Sequence, residues 1–259
     1  MAVSLSVPDS MWTLDASAPV PLWRSSDRGA VLAASTRRGG VSRGPYHALN
    51  LGRSTADDPE AVAENRRRVL ASLGASPERL VTAGQVHGAR VVRAEEPGHA
   101  PECDALLTTR PGLALAITTA DCMSILYAAP GAVAAAHSGW RGTAAGMPAL
   151  ALAAVCEAAG VGPEDVRVSF GPCIRACCYE VGEEVAGDFP EAAVRRGEGR
   201  PHLDLPVAAK LQLAAAGLPA EGLFDSGACT ACDAELYYSY RRDGAVTGRH
   251  WGVAVLTGS

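Results

Sequence analysis

The sequence predicts one mixed α/β or α+β domain built in several layers, and three observations predict it. The chain has 259 residues, of which 48% are hydrophobic, which is ample for a packed core and unlike a disordered chain. Strand and helix patterns mix from end to end, with no low-complexity linker and no tandem repeat. Some strand patterns are continuous runs of small apolar residues, which fit a sheet buried on both faces.

The elements follow in order. Residues 1–27 read as an irregular lead-in with a strand near 19–24. GAVLAAST (29–36) is a strand pattern, and RRGGVSRG (37–44) a glycine-rich loop. DDPEAVAENRRRVLASLG (57–74) predicts a helix, with Asp at the cap, Pro and Glu in the first turn and Gly74 past its end. ARVVRAE (89–95) and GLALAITT (112–119) are strand patterns, as is GAVAAAH (131–137). The alanine-rich stretch 143–159 predicts a helix closed by Gly160. EDVRVSFG predicts a strand, YEVGEEVAGDF (179–189) and DLPVAAKLQLAAAG (204–217) helices, and HWGVAVLT (250–257) a last strand.

Composition excludes several classes of function. The net charge is −5, so no basic excess exists to neutralise a phosphate backbone, and nucleic acid is not expected as a partner. No run approaches the roughly 18 apolar residues that span a bilayer, so no membrane partner is expected either. The N-terminus lacks the cationic start and apolar core of a signal peptide. A cytoplasmic protein is therefore expected, and a monomer. In that reducing compartment the cysteines at 103, 122, 156, 173, 177, 178, 229 and 232 are expected as free thiols or metal ligands.

The stretch TTADCMSILYAAPGAVAAAHSGW (118–140) is an oily hairpin with chemistry at both ends, Asp121-Cys122 and His137. His87, in QVHG, precedes another strand. Three ligands at strand ends, where loops gather, form a candidate site. Two His and one Cys with an open fourth position match a catalytic zinc pattern. Asp121 could orient a ligand or a water. The spacings of 35 and 15 residues are long, and alone they do not separate a zinc site from a buried thiol and two satisfied histidines.

Two stretches could hold an anion. HSGWRG turns into a helix whose free N–H groups favour negative charge, with Arg141 beside it. TRRGGVSRGPYHALNLG (36–52) offers Arg37, Arg38 and Ser42 among glycines, with a plain turn as the equal alternative. GPCIRACCYEVG and ACTAC add cysteine groups. A structural zinc there is formally possible, but a single C-x-x-C without a second pair at finger spacing does not select one.

SRGPYHALNLG, ENRRRVL, QVHG, DALLTTRPGLALAITTADC, AAAHSGWRG, GPCIRACCYEVG and SYRRDGAVTGRHWGVAVL occur in this order. Together they resemble the YfiH family, also called the laccase-domain, multicopper polyphenol oxidase or peptidoglycan editing factor family. The resemblance runs from about residue 28 to 257, so residues 28–259 are expected as the family's domain, preceded by the lead-in 1–27. It implies an α+β sandwich with layers α/β/β/α, similar to the catalytic domain of cytotoxic necrotizing factor. It implies one metal ion, zinc, on His87, Cys122 and His137. It implies phosphorolysis of adenosine, inosine, guanosine and methylthioadenosine, and deamination of adenosine, so the expected partners are a purine nucleoside and phosphate. Ser124 and Ser138 depart from the family's usual Pro and Ala, which touches pocket shape but no metal ligand.

On that reading, Arg37, Ser42, Arg141 and Arg249 are candidates to hold phosphate by charge-assisted bonds, and Asn50 and Gln85 to grip ribose or base. Cys122, His87, His137 and Asp121 are the catalytic candidates. A multicopper oxidase would need more imidazoles than the six histidines present. A single copper with Met123 as axial ligand is conceivable, but in an extended segment Met123 points away from Cys122. Copper could instead substitute in the zinc site. Two other readings stay open. One is a hydrolase of an amide, as in a peptidoglycan precursor, with Cys122 as nucleophile and His137 or His87 as base. The other is an assembly protein that uses zinc only structurally.

Overall fold

A computed structural model describes residues 12–257. The part of the expected lead-in before residue 12 lies outside the described residues. In the rest of that lead-in the strand expected near 19–24 is present as β2 (Leu22–Asp27), and a short strand not expected, β1 (Thr13–Leu14), pairs with it. In chain order there follow β3 (Ala30–Ser35), helix α1 (Pro59–Ser72), β4 (Leu80–Ala83), β5 (Val91–Arg93), β6 (Gly98–Ala100), β7 (Ala105–Thr108) and β8 (Ala114–Thr119). Next come β9 (Met123–Ala129), β10 (Ala132–Ser138), α2 (Trp140–Ala144), α3 (Met147–Ala159), β11 (Arg167–Phe170) and α4 (Glu183–Ala186). The chain continues with β12 (Val194–Arg195), β13 (His202–Leu203), α5 (Leu205–Ala215), β14 (Leu223–Asp225), α6 (Tyr240–Asp243) and β15 (His250–Leu256).

The strands form a mixed α/β architecture with two large sheets and a small one. The first sheet runs β1-β2-β3-β15-β8-β4-β6, the second β14-β11-β9-β10-β7-β5, and β12 pairs with β13. Both large sheets are antiparallel at the centre and take parallel neighbours toward an edge, β4 beside β8 and β6, β14 beside β11, and β5 beside β7.

Side-chain alternation sorts these strands into three buried clusters. On β15, Trp251, Val253 and Val255 join Val69, Leu70 and Leu73 at α1, whereas Ala254 and Leu256 face the second sheet. There Leu32, Leu115 and Ile117 of the first sheet meet Leu106, Leu126, Ala128 and Val133 of the second. On β9 the other parity, Met123, Ile125 and Tyr127, packs under Leu152 and Val155 of α3 and Leu213 of α5. Both faces of β9 and β10 are therefore buried, as the apolar run predicts. Tyr127, fully buried, satisfies its hydroxyl on the Pro148 carbonyl at 2.9 Å.

Helix α1 forms where the sequence places it. Asp58 caps it by accepting the Glu60 amide at 2.9 Å, and Gly74 beyond its end takes a φ of +70°. Two helix expectations are corrected. The stretch 143–159 is two helices, broken where Gly146 adopts a left-handed φ of 83°. The stretch 179–189 is a single turn, α4, because the backbone of 179–181 is spent elsewhere. Leu203 donates to the Tyr179 carbonyl, Val181 donates to the Pro201 carbonyl, and Glu180 bridges His202.

Candidate metal centre

The hairpin of β9 and β10 closes through Pro130-Gly131, pairing Ala129 with Ala132 and His137 with Ser124. Extending that register by two residues sets Cys122 opposite Gly139. The approach leaves no room for a side chain, since a Cβ at Gly139 would stand 2.9 Å from the Cys122 sulfur and 3.7 Å from His87 Cδ2. His87 arrives on the connection from β4 to β5, and Cys122 on the connection from β8 to β9. Both connections cross from the first sheet to the second.

The loops that carry His87 and Cys122 are held in unusual backbone. Gln85 (φ 57°), His87 (φ 63°) and Asp121 (φ 87°) are left-handed without being glycine, a conformation that persists only where its surroundings impose it. Asp104 imposes it at His87. Its carboxylate accepts the amides of Val86, His87 and Gly88 at 3.1, 2.9 and 2.8 Å. The same carboxylate stands 2.8 Å from His137 Nδ1, which fixes the proton there and turns Nε2 toward Cys122.

One ligand atom from each of His87, Cys122 and His137 lies within 4.8 Å of the other two. The two imidazoles stand edge to face, centroids 4.9 Å apart. Burial opposes ionisation of Cys122, but the neighbouring His137 and His87 outweigh it and bring the thiol down to about 6. Burial likewise opposes charge on His137, yet the Cys122 sulfur and the Asp104 carboxylate raise it to about 9. A thiolate and two oriented imidazoles fit a borderline divalent ion, and all three face one cavity, which leaves a coordination position on its side.

That cavity holds about 890 Å³, within the usual range for small-molecule sites. Its wall carries Arg53, Arg66, Arg241 and Arg249, and the aromatics Trp140, Tyr179 and Tyr240. Among the described residues, none of these four arginines pairs with a carboxylate. Arg66 is pushed down to about 10 by burial and by the charge of Arg53.

The structure sorts the other candidates. Arg249 lines the cavity, its guanidinium tied to the Thr247 and Gly248 carbonyls and 5.9 Å from the Tyr240 ring. Gln85 also lines it, but both ends of its amide are spent on the Thr118 backbone, at 2.6 and 2.7 Å. Arg141 is exposed beside the cavity, 4.2 Å over the Trp140 ring. Asp121 lines the wall, but its oxygens accept the Thr230 hydroxyl and the Arg241 amide, and the carboxylate that orients a histidine is Asp104.

Arg37, Ser42 and Asn50 stand outside the wall, and their polar atoms are taken by other partners in the protein. Arg37 donates to the His47 and Ala234 carbonyls. Ser42 accepts from Asn65. Asn50 is buried and joins Thr55, Asp57, Gly52 and Arg249. Sequence reasoning missed Asp104, Arg53, Arg66, Tyr179 and Tyr240. The one signal was for Asp104, an acid placed directly before an apolar strand.

A mixed α/β fold whose two large sheets bring a His₂Cys set to an arginine-lined cavity defines the class, a candidate metalloprotein. The chain belongs to the multi-copper polyphenol oxidoreductase laccase family, whose sequence model matches residues 31–257. It is 44% identical over 243 residues to a protein of Deinococcus radiodurans named purine nucleoside phosphorylase, covering 92% of this chain and 93% of that one. It is 38% identical over 239 residues to the Escherichia coli purine nucleoside phosphorylase YfiH, covering 89% and 95%. The crystal structure of YlmD from Geobacillus stearothermophilus superposes with a TM-score of 0.88 at 34% identity, over 96% of this chain and all of that one. The YfiH structure from Bacillus licheniformis superposes at 0.86 with 30% identity, over 94% and 98%.

Proposed function

We propose that this chain is a zinc-dependent purine nucleoside phosphorylase that also deaminates adenosine, with residues 28–259 as its working unit in the cytoplasm. The observation that carries this reading is the meeting, in one cavity, of the His87, Cys122 and His137 trio with four arginines that have no carboxylate partner among the described residues. Such cations are matched by a bound phosphate, and the names of the relatives point the same way. The three buried clusters support the layering α/β/β/α, with the necrotizing-factor domain as the comparison. Among the described residues no helix is long and apolar enough to cross a membrane.

In phosphorolysis a phosphate oxygen bonds C1′ of the ribose, the C1′–N9 bond breaks, and its electron pair leaves on the purine, which takes up a proton. The products are ribose 1-phosphate and free base. A zinc ion on the trio would supply a Lewis acid at the cavity wall. Arg53, Arg66 and Arg249 hold the phosphate, and Tyr179, Tyr240 and Trp140 offer faces for the purine. Asp104 keeps His137 oriented throughout. Inosine, guanosine and methylthioadenosine share the ribosyl–purine bond and are proposed as substrates with adenosine.

Cys122→Ala is expected to abolish phosphate-dependent release of hypoxanthine from inosine and to remove the zinc that the wild type carries at this centre. Product analysis by mass and metal analysis by plasma spectrometry read both. A variant that retained full turnover would sink the metal reading.

One observation favours a second reading. A Cys122 thiolate beside a His137 that is oriented by Asp104 also describes a nucleophile, base and orienting acid for amide hydrolysis. Chelators should silence the zinc enzyme, whereas iodoacetamide on metal-free protein should silence the thiol hydrolase. Polyphenol oxidation, where found, is proposed to come from copper on the same trio, since copper binds N/S sites more tightly than zinc.

A further inference from the structure

We propose that Cys177, Cys178, Cys229 and Cys232 form a second, closed metal site that binds one zinc ion through four thiolates and pins together two loops that wall the cavity. The single C-x-x-C has no second pair at finger spacing along the chain, but the fold supplies one from the adjacent Cys177-Cys178. The four sulfurs lie within 4.8 Å of one another. Cys232 Sγ is 3.4 Å from that of Cys177 and 3.3 Å from that of Cys178. A tetrahedral zinc with Zn–S bonds of about 2.3 Å needs sulfur–sulfur edges of about 3.8 Å, a few tenths of an ångström beyond these two separations and inside the span of the cluster.

The scaffold brings the two pairs together without help from the thiols. Cys173 bridges Cys229 backbone to backbone, and the Thr230 amide donates to the Cys173 carbonyl at 3.1 Å. Arg242 clamps the other side of that loop through the Thr230, Ala231 and Tyr237 carbonyls. Four crowded thiols suit a cation better than they suit one another. The backbone amides of Arg175, Cys232 and Ala231 are directed at the Cys229 sulfur. Amides directed at a ligating sulfur are a usual support of metal thiolates.

Binding is a proton exchange. Four S–H groups release four protons to solvent, four Zn–S bonds form, and no electrons move. With all four positions taken by protein, the ion has no open face, so its role is structural. Its effect reaches the first centre along two short paths. Cys178 adjoins Tyr179 in the cavity wall, and Thr230, between Cys229 and Cys232, holds the Asp121 carboxylate at 2.6 Å beside Cys122.

The test is zinc counted per chain in protein purified under reducing conditions without chelator. The wild type is expected to carry two ions, Cys122→Ala one, and the double variant Cys229→Ser/Cys232→Ser one. Cobalt loaded into Cys122→Ala should show the intense absorption of tetrahedral thiolate coordination. Zinc-free Cys122→Ala protein, or a double variant with undiminished zinc, overturns the proposal. So does a disulfide, seen as two thiols missing from the eight expected in denatured, chelated, unreduced wild type. Should the double variant fail to fold, the count and the cobalt spectrum of Cys122→Ala decide alone. That arm also separates this proposal from the first centre, which it has already removed.

Discussion

Asp104 is the residue on which the trio's geometry turns. One carboxylate holds the His137 ring and, through three amides, the strained backbone that presents His87. Replacing it with Asn keeps size and one acceptor but loses the charge that makes His137 a better donor. Partners of metal-bound histidines are worth about 10–100-fold in metal affinity, so Asp104→Asn should weaken zinc binding by about that factor, measured by competition with a chromophoric chelator. Equal affinities would show that Asp104 only supports the loop. The proposed ligands were legible in the sequence as His and Cys at the ends of apolar runs. Asp104 was not, because an acid before a strand reads as an ordinary turn residue until the fold lays it under a histidine. Asp121 drew the orienting role by adjacency to Cys122, but its two oxygens accept from the Thr230 hydroxyl and the Arg241 amide.

Elements were legible where one local rule decided them. The cap and first turn of α1 and the apolar run of β10 needed nothing from the rest of the chain. The stretch 179–189 failed because long-range pairing with residues 201–203 took its backbone. Ahead of that stretch, Arg175 forks onto Asp225 of β14 at 2.8 and 2.9 Å, with Lys210 of α5 adding 2.7 Å. Burial opposes the Asp225 charge, but Arg175 and Lys210 outweigh it and hold the pKa at about 2, below the usual 3.8. A depressed acid contributes stability that is fully present above the unfolded pKa and is lost as pH falls through the folded one. Asp225→Asn should therefore be less stable than wild type at pH 7, and the gap should narrow below about pH 4. Denaturant midpoints at several pH values measure it. A gap independent of pH would show that the carboxylate contributes by shape alone.

At the scale of the whole molecule, charge and chain path act together. The protein is net negative, by 5 charges, and so repels phosphate at long range. That repulsion is screened beyond about 8 Å at physiological salt, so capture must be local. On the proposed phosphorylase reading, the cavity supplies it where the chain crosses between sheets, a convergence that strand ends in a linear sequence cannot display. Arg53 is the clearest probe. It is exposed, lines the cavity, and shares the wall with Arg66, whose guanidinium it destabilises. Two like charges kept side by side without a carboxylate are relieved by a dianion. A hydrogen bond to a charged group contributes about 1.5 kcal/mol at the low end, which is about tenfold in affinity. Arg53→Ala should raise the KM for phosphate about tenfold while leaving kcat and the KM for inosine nearly unchanged, because it removes binding that substrate and transition state share. Steady-state rates with each substrate varied in turn measure this. A raised inosine KM at constant phosphate KM would move Arg53 to the nucleoside, and two unmoved constants would place the phosphate elsewhere in the cavity.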